Sequence, residues 1–182
     1  MRTIPLIPEV RATSLAYPQR IPNVDIDARL TEARHTPDME RHVRPLVLFL
    51  CTHNSARSQM AEGLLRHLAG DRFDAHSAGT ERTEVRPEAV AAMAEIGIDI
   101  SGQSSKTLHR YLDAQIDWLV TVCDQAREAC PVIPGVRAQR HWSVPDPAAV
   151  EGPARMEAFR AARDDLRQRI GAFVDEALPS PA

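Results

Sequence analysis

Lysine is almost absent from this chain: Lys106 is the only one, so nearly all of the positive charge is arginine. An excess of either sign is missing too, with 22 Lys plus Arg against 25 Asp plus Glu and a formal net charge of −3 over 182 residues. Proteins that coat nucleic acid carry a strongly basic footprint, so this balance argues against that class. No apolar run approaches the roughly 20 residues needed to span a bilayer. The first ten residues hold no hydrophobic stretch long enough for a secretory signal. The expectation is a cytoplasmic protein with no membrane partner. Cysteine is scarce and odd in number, at three. Without an export signal this disfavours a structural disulfide framework and leaves reactive or buried thiols.

What is present is ordinary for a globular chain: 43% hydrophobic and 26% charged residues, at a length that suits one domain. Residues 1–44 read differently from the rest, with Pro5, Pro8, Pro18, Pro22 and Pro37 and one short helix-like stretch, Asp25 to Arg34. They are expected to form a partly ordered extension to a domain spanning 45–182. From Pro45 the pattern sharpens. Leu46 to Leu50 is a continuous apolar run, as in a strand buried on both faces of a parallel sheet. A polar segment, Cys51 to Ser58, follows. Met60, Leu64, Leu65 and Leu68 then recur at helical spacing, with Gly70 as the stop.

The alternation continues through a short strand over Phe73 to Ser77 and a helix opened by Pro87, carrying Val90 and Met93 and closed at Gly97. Ile116 to Val122 reads as a further strand and Asp124 to Ala129 as a short helix. His141 to Pro147 reads as a strand end and loop. Pro153 opens the longest helix, with Met156, Phe159, Leu166, Ile170 and Phe173 on one face. Strands alternating with helices predict an α/β fold, a three-layer sandwich around a central parallel four-stranded sheet.

Ligands of open α/β sheets bind beyond the carboxyl ends of the strands. The segment Cys51-Thr52-His53-Asn54-Ser55-Ala56-Arg57-Ser58 falls there. Backbone N–H groups of a tight loop can converge on one tetrahedral oxyanion, and the following helix adds its positive N-terminus. Thr52, His53, Asn54, Ser55, Ala56 and Arg57 are therefore the candidate oxyanion-binding residues. The planar guanidinium of Arg57 matches two oxygens at once. The same fields favour a thiolate at Cys51, which makes it a candidate nucleophile, and Ser58 is placed to donate a hydrogen bond to it.

The run Val47 to Glu62 resembles the active-site signature of the low-molecular-weight protein tyrosine phosphatase fold, and within it the thioredoxin-coupled arsenate reductases. Ser77-Ala78-Gly79-Thr80, Gly97-Ile98-Asp99-Ile100-Ser101 and Asp146-Pro147 are similar to further landmarks of the family, in the right order. The resemblance covers about residues 46 to 178 and implies a low-molecular-weight phosphatase-like sheet. By the same resemblance Asp146 is a general acid that protonates the departing oxygen. Thr121 to Pro131 resembles the reductases' redox segment, with Cys123 and Cys130 as its pair.

The implied activity is reduction of arsenate to arsenite, an oxidoreductase reaction serving arsenic resistance and detoxification. Cys51 attacks arsenic, Cys123 attacks Cys51, and Cys130 then attacks Cys123. The redox-active disulfide passes to thioredoxin as external reductant, with no bound cofactor. Phosphate and sulfate would compete with arsenate. The alternatives are a tyrosine or small-ester phosphatase, an activity the same loop could also carry on the side, and an oxyanion-responsive binding protein. No metal is expected. Some relatives hold a monovalent cation through positions matching Asn54, Glu62, Ser77 and an acid, but here Lys106 stands where the acid would be and can supply the charge itself.

Overall fold

The computed structural model describes residues 44–129, 133 and 135–177. The extension over 1–44, apart from Arg44, and Cys130 lie outside the described residues. Four strands form the sheet: β1 (Leu46–Cys51), β2 (Asp74–Gly79), β3 (Ile116–Thr121) and β4 (Val136–His141). The helices are α1 (Arg57–Ala69), α2 (Pro87–Ala94), α3 (Asp124–Ala129) and α4 (Arg155–Ala177). The strand order is β2-β1-β3-β4 and every pair is parallel.

Val47, Leu48, Phe49 and Leu50 are all fully buried. Successive strand residues point to opposite faces, so both faces of β1 are covered and the expected layered α/β sandwich is present. Phe159, Leu166, Ile170 and Phe173 of α4 are buried against it, and Met156 packs at the edge of the core. Phe173 gathers the aromatics, with ring centroids 5.5 Å from Phe73, 5.3 Å from Trp118 and 6.3 Å from Trp142.

Several sequence expectations shift. The second strand begins at Asp74 rather than Phe73 and runs on to Gly79, because the Phe73 ring is drawn to Phe173. Its sequence, Asp74-Ala75-His76-Ser77-Ala78-Gly79, holds no β-branched residue; main-chain pairing with β1, Leu46 opposite Asp74 through Cys51 opposite Gly79, sets its length. In the sequence β4 is visible only at its end, since its side chains are mostly polar. It is an edge strand, where charge is favoured over apolar bulk, and Arg140 lies over the Trp118 ring at 5.0 Å. Leu68 leaves the buried face of α1 and is 41% exposed. Each i+4 step drifts about 40° around a helix of 3.6 residues per turn, so Leu68 lies about 80° from Met60. Gly70 does end α1, but in a right-handed conformation with φ −67°. Pro153 falls in a 3-10 turn, Gly152–Ala154, just ahead of α4.

The order β2-β1-β3 places a topological switch point between β1 and β3, where chains leave the sheet in opposite directions and open a crevice. Cys51 ends β1, and Cys123 lies two residues past the end of β3. Leu50 pairs with Thr121, and the Val122 N–H donates to the Leu50 carbonyl at 2.9 Å. The two thiols therefore emerge side by side. On the other flank, Gly79 closes β2 directly against the loop after β1. A Cβ there would meet the Glu81 and Thr52 carbonyl oxygens at 2.5 and 2.6 Å and the Asn54 nitrogen at 2.8 Å. All three are backbone atoms that cannot step aside. Gly79→Ala is expected to destabilise by about 1–3 kcal/mol, a fall in melting temperature of roughly 2–12 °C, and to disable the loop. Calorimetry alongside an activity assay checks this; an unchanged melting temperature would refute it.

Candidate active site

The loop from Cys51 to Ala56 turns its carbonyls outward, and each has a donor waiting. The Cys51 carbonyl accepts from the Thr80 N–H at 3.3 Å and that of Thr52 from the Glu81 N–H at 2.8 Å. The His53 carbonyl accepts from the Thr83 and Ser105 hydroxyls, both at 3.1 Å. Asn54 is served by Gln59 Nε2 at 3.0 Å, Ser55 by the Arg86 N–H at 2.8 Å and Ala56 by the Met60 N–H at 2.9 Å. With the carbonyls held outside, the N–H groups are left to the inside. Those opening α1 also have no intrahelical acceptor. A loop arranged in this way has the form of a cradle for an oxyanion.

Asn54 makes the turn possible. Its φ of 47° is the only positive value at a non-glycine among the described residues, and asparagine tolerates that region better than most. Its fully buried amide then locks the turn. Nδ2 donates to Ser58 Oγ at 2.9 Å and to Ser77 Oγ at 2.8 Å. Oδ1 accepts from the Lys106 N–H at 2.7 Å and from Gln59 Nε2 at 2.9 Å.

Cys51 lies at the base of the cradle, buried and free. Its Sγ is 2.9 Å from Ser58 Oγ and accepts from the Asn54 N–H at 3.1 Å. The fields expected to favour a thiolate are present, yet burial outweighs them. Desolvation pushes the thiol above its ordinary value; Ser58 opposes it, the nearby Cys123 adds to it, and the Ser58 and Asn54 N–H groups pull down.

Arg57 and Asp146 meet across the mouth, with Nη2 to Oδ2 at 3.2 Å, and Arg57 Nη1 donates to the Val144 carbonyl at 3.0 Å. The second Asp146 oxygen accepts from the Ala148 N–H at 3.1 Å. Cys51, Arg57 and Asp146 line one cavity of about 160 Å³, with His53 and Arg86 at its rim. Cys123 is buried and free, 3.6 Å from Thr52 Oγ1, and its Sγ accepts from the Ala126 N–H at 3.3 Å. The structure thus brings Cys51, Thr52, Ser58 and Cys123 together below the cradle and Arg57 and Asp146 above it.

The helix that starts after Cys123 is anchored at its first residue. Asp124 accepts from Ser143 Oγ at 3.1 Å and faces His141 Nε2 at 2.8 Å, while His141 Nδ1 is 2.8 Å from Thr121 Oγ1. The His141 contact, then that of Ser143, holds the Asp124 carboxyl below its ordinary value.

Lys106 reaches inward rather than to solvent. Its Nζ is 3.2 Å from Glu62 Oε2 and 3.0 Å from the Ser104 carbonyl. Glu62 is 2% exposed, also pairs with Arg66 at 2.6 Å, and accepts from the Ser77 hydroxyl. A cation in this region would need the oxygens of Asn54, Glu62 and Ser77. Asn54 Oδ1 and Glu62 are already taken by donors, so these residues do not fit a bound ion.

Sequence reasoning missed Gln59, Gly79 and Arg86. Gln59 stands inside the signature with nothing local to mark it as the strut under Asn54. Gly79 belongs to a quoted landmark, but only the approach of the loop explains it. Arg86 precedes a proline at a helix start, which in the sequence looks like any surface arginine.

Comparison with known proteins is consistent with this geometry. The family model for low molecular weight phosphotyrosine protein phosphatases matches residues 46–180. An arsenate reductase of Halalkalibacterium halodurans is 44% identical over 134 residues, 72% of this chain and 96% of that protein. An arsenate reductase solved in its phosphate-binding state superposes with a TM-score of 0.62 at 30% identity, covering 72% of this chain and 98% of that one. The thioredoxin-dependent arsenate reductase of Corynebacterium glutamicum has a TM-score of 0.58 at 28% identity, covering 72% of this chain and 61% of that one.

Removing the Ser58 hydroxyl should make Cys51 harder to ionise. Ser58 favours the thiolate, so Ser58→Ala raises the thiol further and leaves less thiolate at any fixed pH. A hydrogen bond to a charged group is worth about 1.5–3 kcal/mol, so the pH profile of Cys51 alkylation by iodoacetamide should move clearly to higher pH. A profile that stays in place would remove Ser58 from this role.

Proposed function

The chain belongs to the low molecular weight phosphotyrosine protein phosphatase family, and within it we propose an arsenate reductase that works through a three-cysteine relay. The observation that carries this reading is the second thiol. Cys123 follows the strand adjacent to that of Cys51 and is tied to the loop through Thr52. A phosphatase needs one nucleophilic cysteine and has no use for a neighbour. Reduction of As(V) to As(III) takes two electrons, which two thiols supply by becoming a disulfide.

Arsenate is held by the loop N–H groups from Thr52 to Arg57 and by the Arg57 guanidinium. The Cys51 thiolate forms the S–As bond, and a hydroxyl leaves as water with a proton from Asp146. Cys123 then attacks the Cys51 sulfur. The S–As bond breaks with its electron pair on arsenic, arsenite departs, and a Cys51–Cys123 disulfide remains. Cys130 attacks Cys123 and frees Cys51, and the Cys123–Cys130 disulfide is reduced by thioredoxin. The relay uses no bound cofactor and runs in the cytoplasm. A cavity of about 160 Å³ is below the roughly 300–1,000 Å³ of sites for larger organic ligands, which favours a bare oxyanion over a peptide phosphotyrosine. Phosphate and sulfate compete for the same cradle.

The last exchange requires movement. Cys123 and Cys130 are seven positions apart, and at the rise of an α-helix, about 1.5 Å per residue, that spacing would amount to roughly 10 Å, whereas a disulfide needs Cα atoms within about 7 Å. In the proposed relay α3 (Asp124–Ala129) therefore unwinds when the bond forms.

The decisive assay measures arsenite production with thioredoxin, thioredoxin reductase and NADPH. Cys51→Ser should abolish it together with any phosphatase activity. Cys123→Ser should stop multiple turnover while sparing hydrolysis of 4-nitrophenyl phosphate, and in a single turnover without thioredoxin the parent should lose two free thiols per arsenate. Hydrogen-exchange protection over 124–129 should fall on oxidation. Turnover by Cys123→Ser, or equal protection in both states, would overturn the relay.

Lys106 takes the charge role of a bound cation beside Glu62. Activity and melting temperature should be the same in potassium and in sodium, and Lys106→Asp should introduce a preference for potassium. A potassium effect on the parent protein would rule this out.

A further inference from the structure

The cations around the cavity differ in whether they have an acidic partner. Arg57 is paired with Asp146 and hydrogen-bonded to the Val144 carbonyl. His53 Nε2 lies 3.5 Å from the Glu81 carboxylate. Arg86 lines the same cavity, yet its guanidinium has no ion pair among the described residues. Of the two acids two positions away in sequence, Glu84 forms no ion pair with it, and Glu88 is bridged to Arg155 Nε at 2.5 Å and feels Arg86 only as a weaker field. The position of Arg86 is set by its backbone: its N–H donates to the Ser55 carbonyl at 2.8 Å, and Pro87 begins α2 immediately after it. An exposed, uncommitted guanidinium is thus tied to the rim of the anion cradle by a bond that does not use its side chain.

The loop N–H groups and Arg57 account for the oxygens that point into the cradle. The remaining oxygen of a tetrahedral oxyanion points outward, toward the rim. On an inorganic oxyanion that oxygen bears charge or a hydroxyl and can accept a hydrogen bond. On a phosphate ester it is the bridging oxygen, an uncharged and weaker acceptor shielded by the organic group. We infer that Arg86 is the specificity-determining residue that selects inorganic oxyanions over phosphate esters by binding the outward oxygen. The inference rests on the arsenate-reductase reading and deepens it.

Arg86→Ala and Arg86→Lys test it, because truncating the side chain leaves the Ser55 bond in place; both should melt at the parent temperature. For Arg86→Ala the arsenate KM should rise roughly tenfold, as expected for one lost charge-assisted hydrogen bond, with kcat little changed. Hydrolysis of 4-nitrophenyl phosphate should keep its kcat/KM. Arg86→Lys should recover part of the arsenate KM, since the charge remains without the planar fork. An unchanged arsenate KM, or an equal loss on arsenate and ester, would overturn the inference. Protection of Cys51 from iodoacetamide by inorganic phosphate supplies a readout independent of reduction. It should weaken roughly tenfold in Arg86→Ala, and equal protection in both proteins would refute the role of Arg86. Failure of the reductase reading would look different: no arsenite from the parent protein, whatever Arg86 does to phosphate protection.

Discussion

A loop that offers its amide hydrogens to an anion must put its carbonyls somewhere else, and this requirement organises the molecule around residues 51–56. A buried carbonyl without a partner is costly, so the surroundings have to supply one donor for each. They come from the chain after β2 (Thr80, Glu81, Thr83), the segment before the 3-10 turn at Leu108 (Ser105), α1 (Gln59, Met60) and the start of α2 (Arg86). Four separate stretches of chain thus converge on one short loop. The close approach of Gly79 to the Thr52 carbonyl and the Asn54 nitrogen is a consequence of the same convergence.

A buried carboxylate so near an anion site would normally work against it. Glu62 is buried beneath the loop, and two cations answer it, Arg66 on one oxygen and Lys106 on the other. Burying an unpaired charge is expensive, and the two pairs balance the Glu62 carboxylate so that no net negative charge is left under the cradle. From there a line of hydrogen bonds runs through Ser77, Asn54 and Ser58 to the Cys51 sulfur. The only lysine of the chain is part of this arrangement.

The same burial that dries the site holds back its nucleophile. Desolvation raises the Cys51 thiol and the loop's donors lower it, so the reactive form depends on how well those donors are aimed. The second thiol sits under a comparable restraint. Cys123 is capped by α3, whose first residue is fastened to Ser143 and His141. In the proposed relay this six-residue helix is the part that gives way; it is short, and over residues 124–128 only Ala126 is buried.

The sequence by itself determined the parallel α/β architecture, because an unbroken apolar strand and helices with one apolar stripe have few other ways to bury themselves. It also marked the candidate nucleophile, the guanidinium six residues on and the helix after Cys123, since these depend on spacing along a continuous strand, loop and helix. Strand ends and the edge strand were less legible: β2 and β4 take their length from main-chain pairing, and a polar edge strand carries no apolar period. What only the tertiary structure decided was the meeting of distant residues. Arg57 with Asp146, Gln59 with Ser104, Gly79 against Thr52, Lys106 with Glu62 and Arg86 at the cavity rim lie up to 89 positions apart. No local pattern encodes those meetings, because strand order and register, which bring the segments together, are properties of the whole sheet.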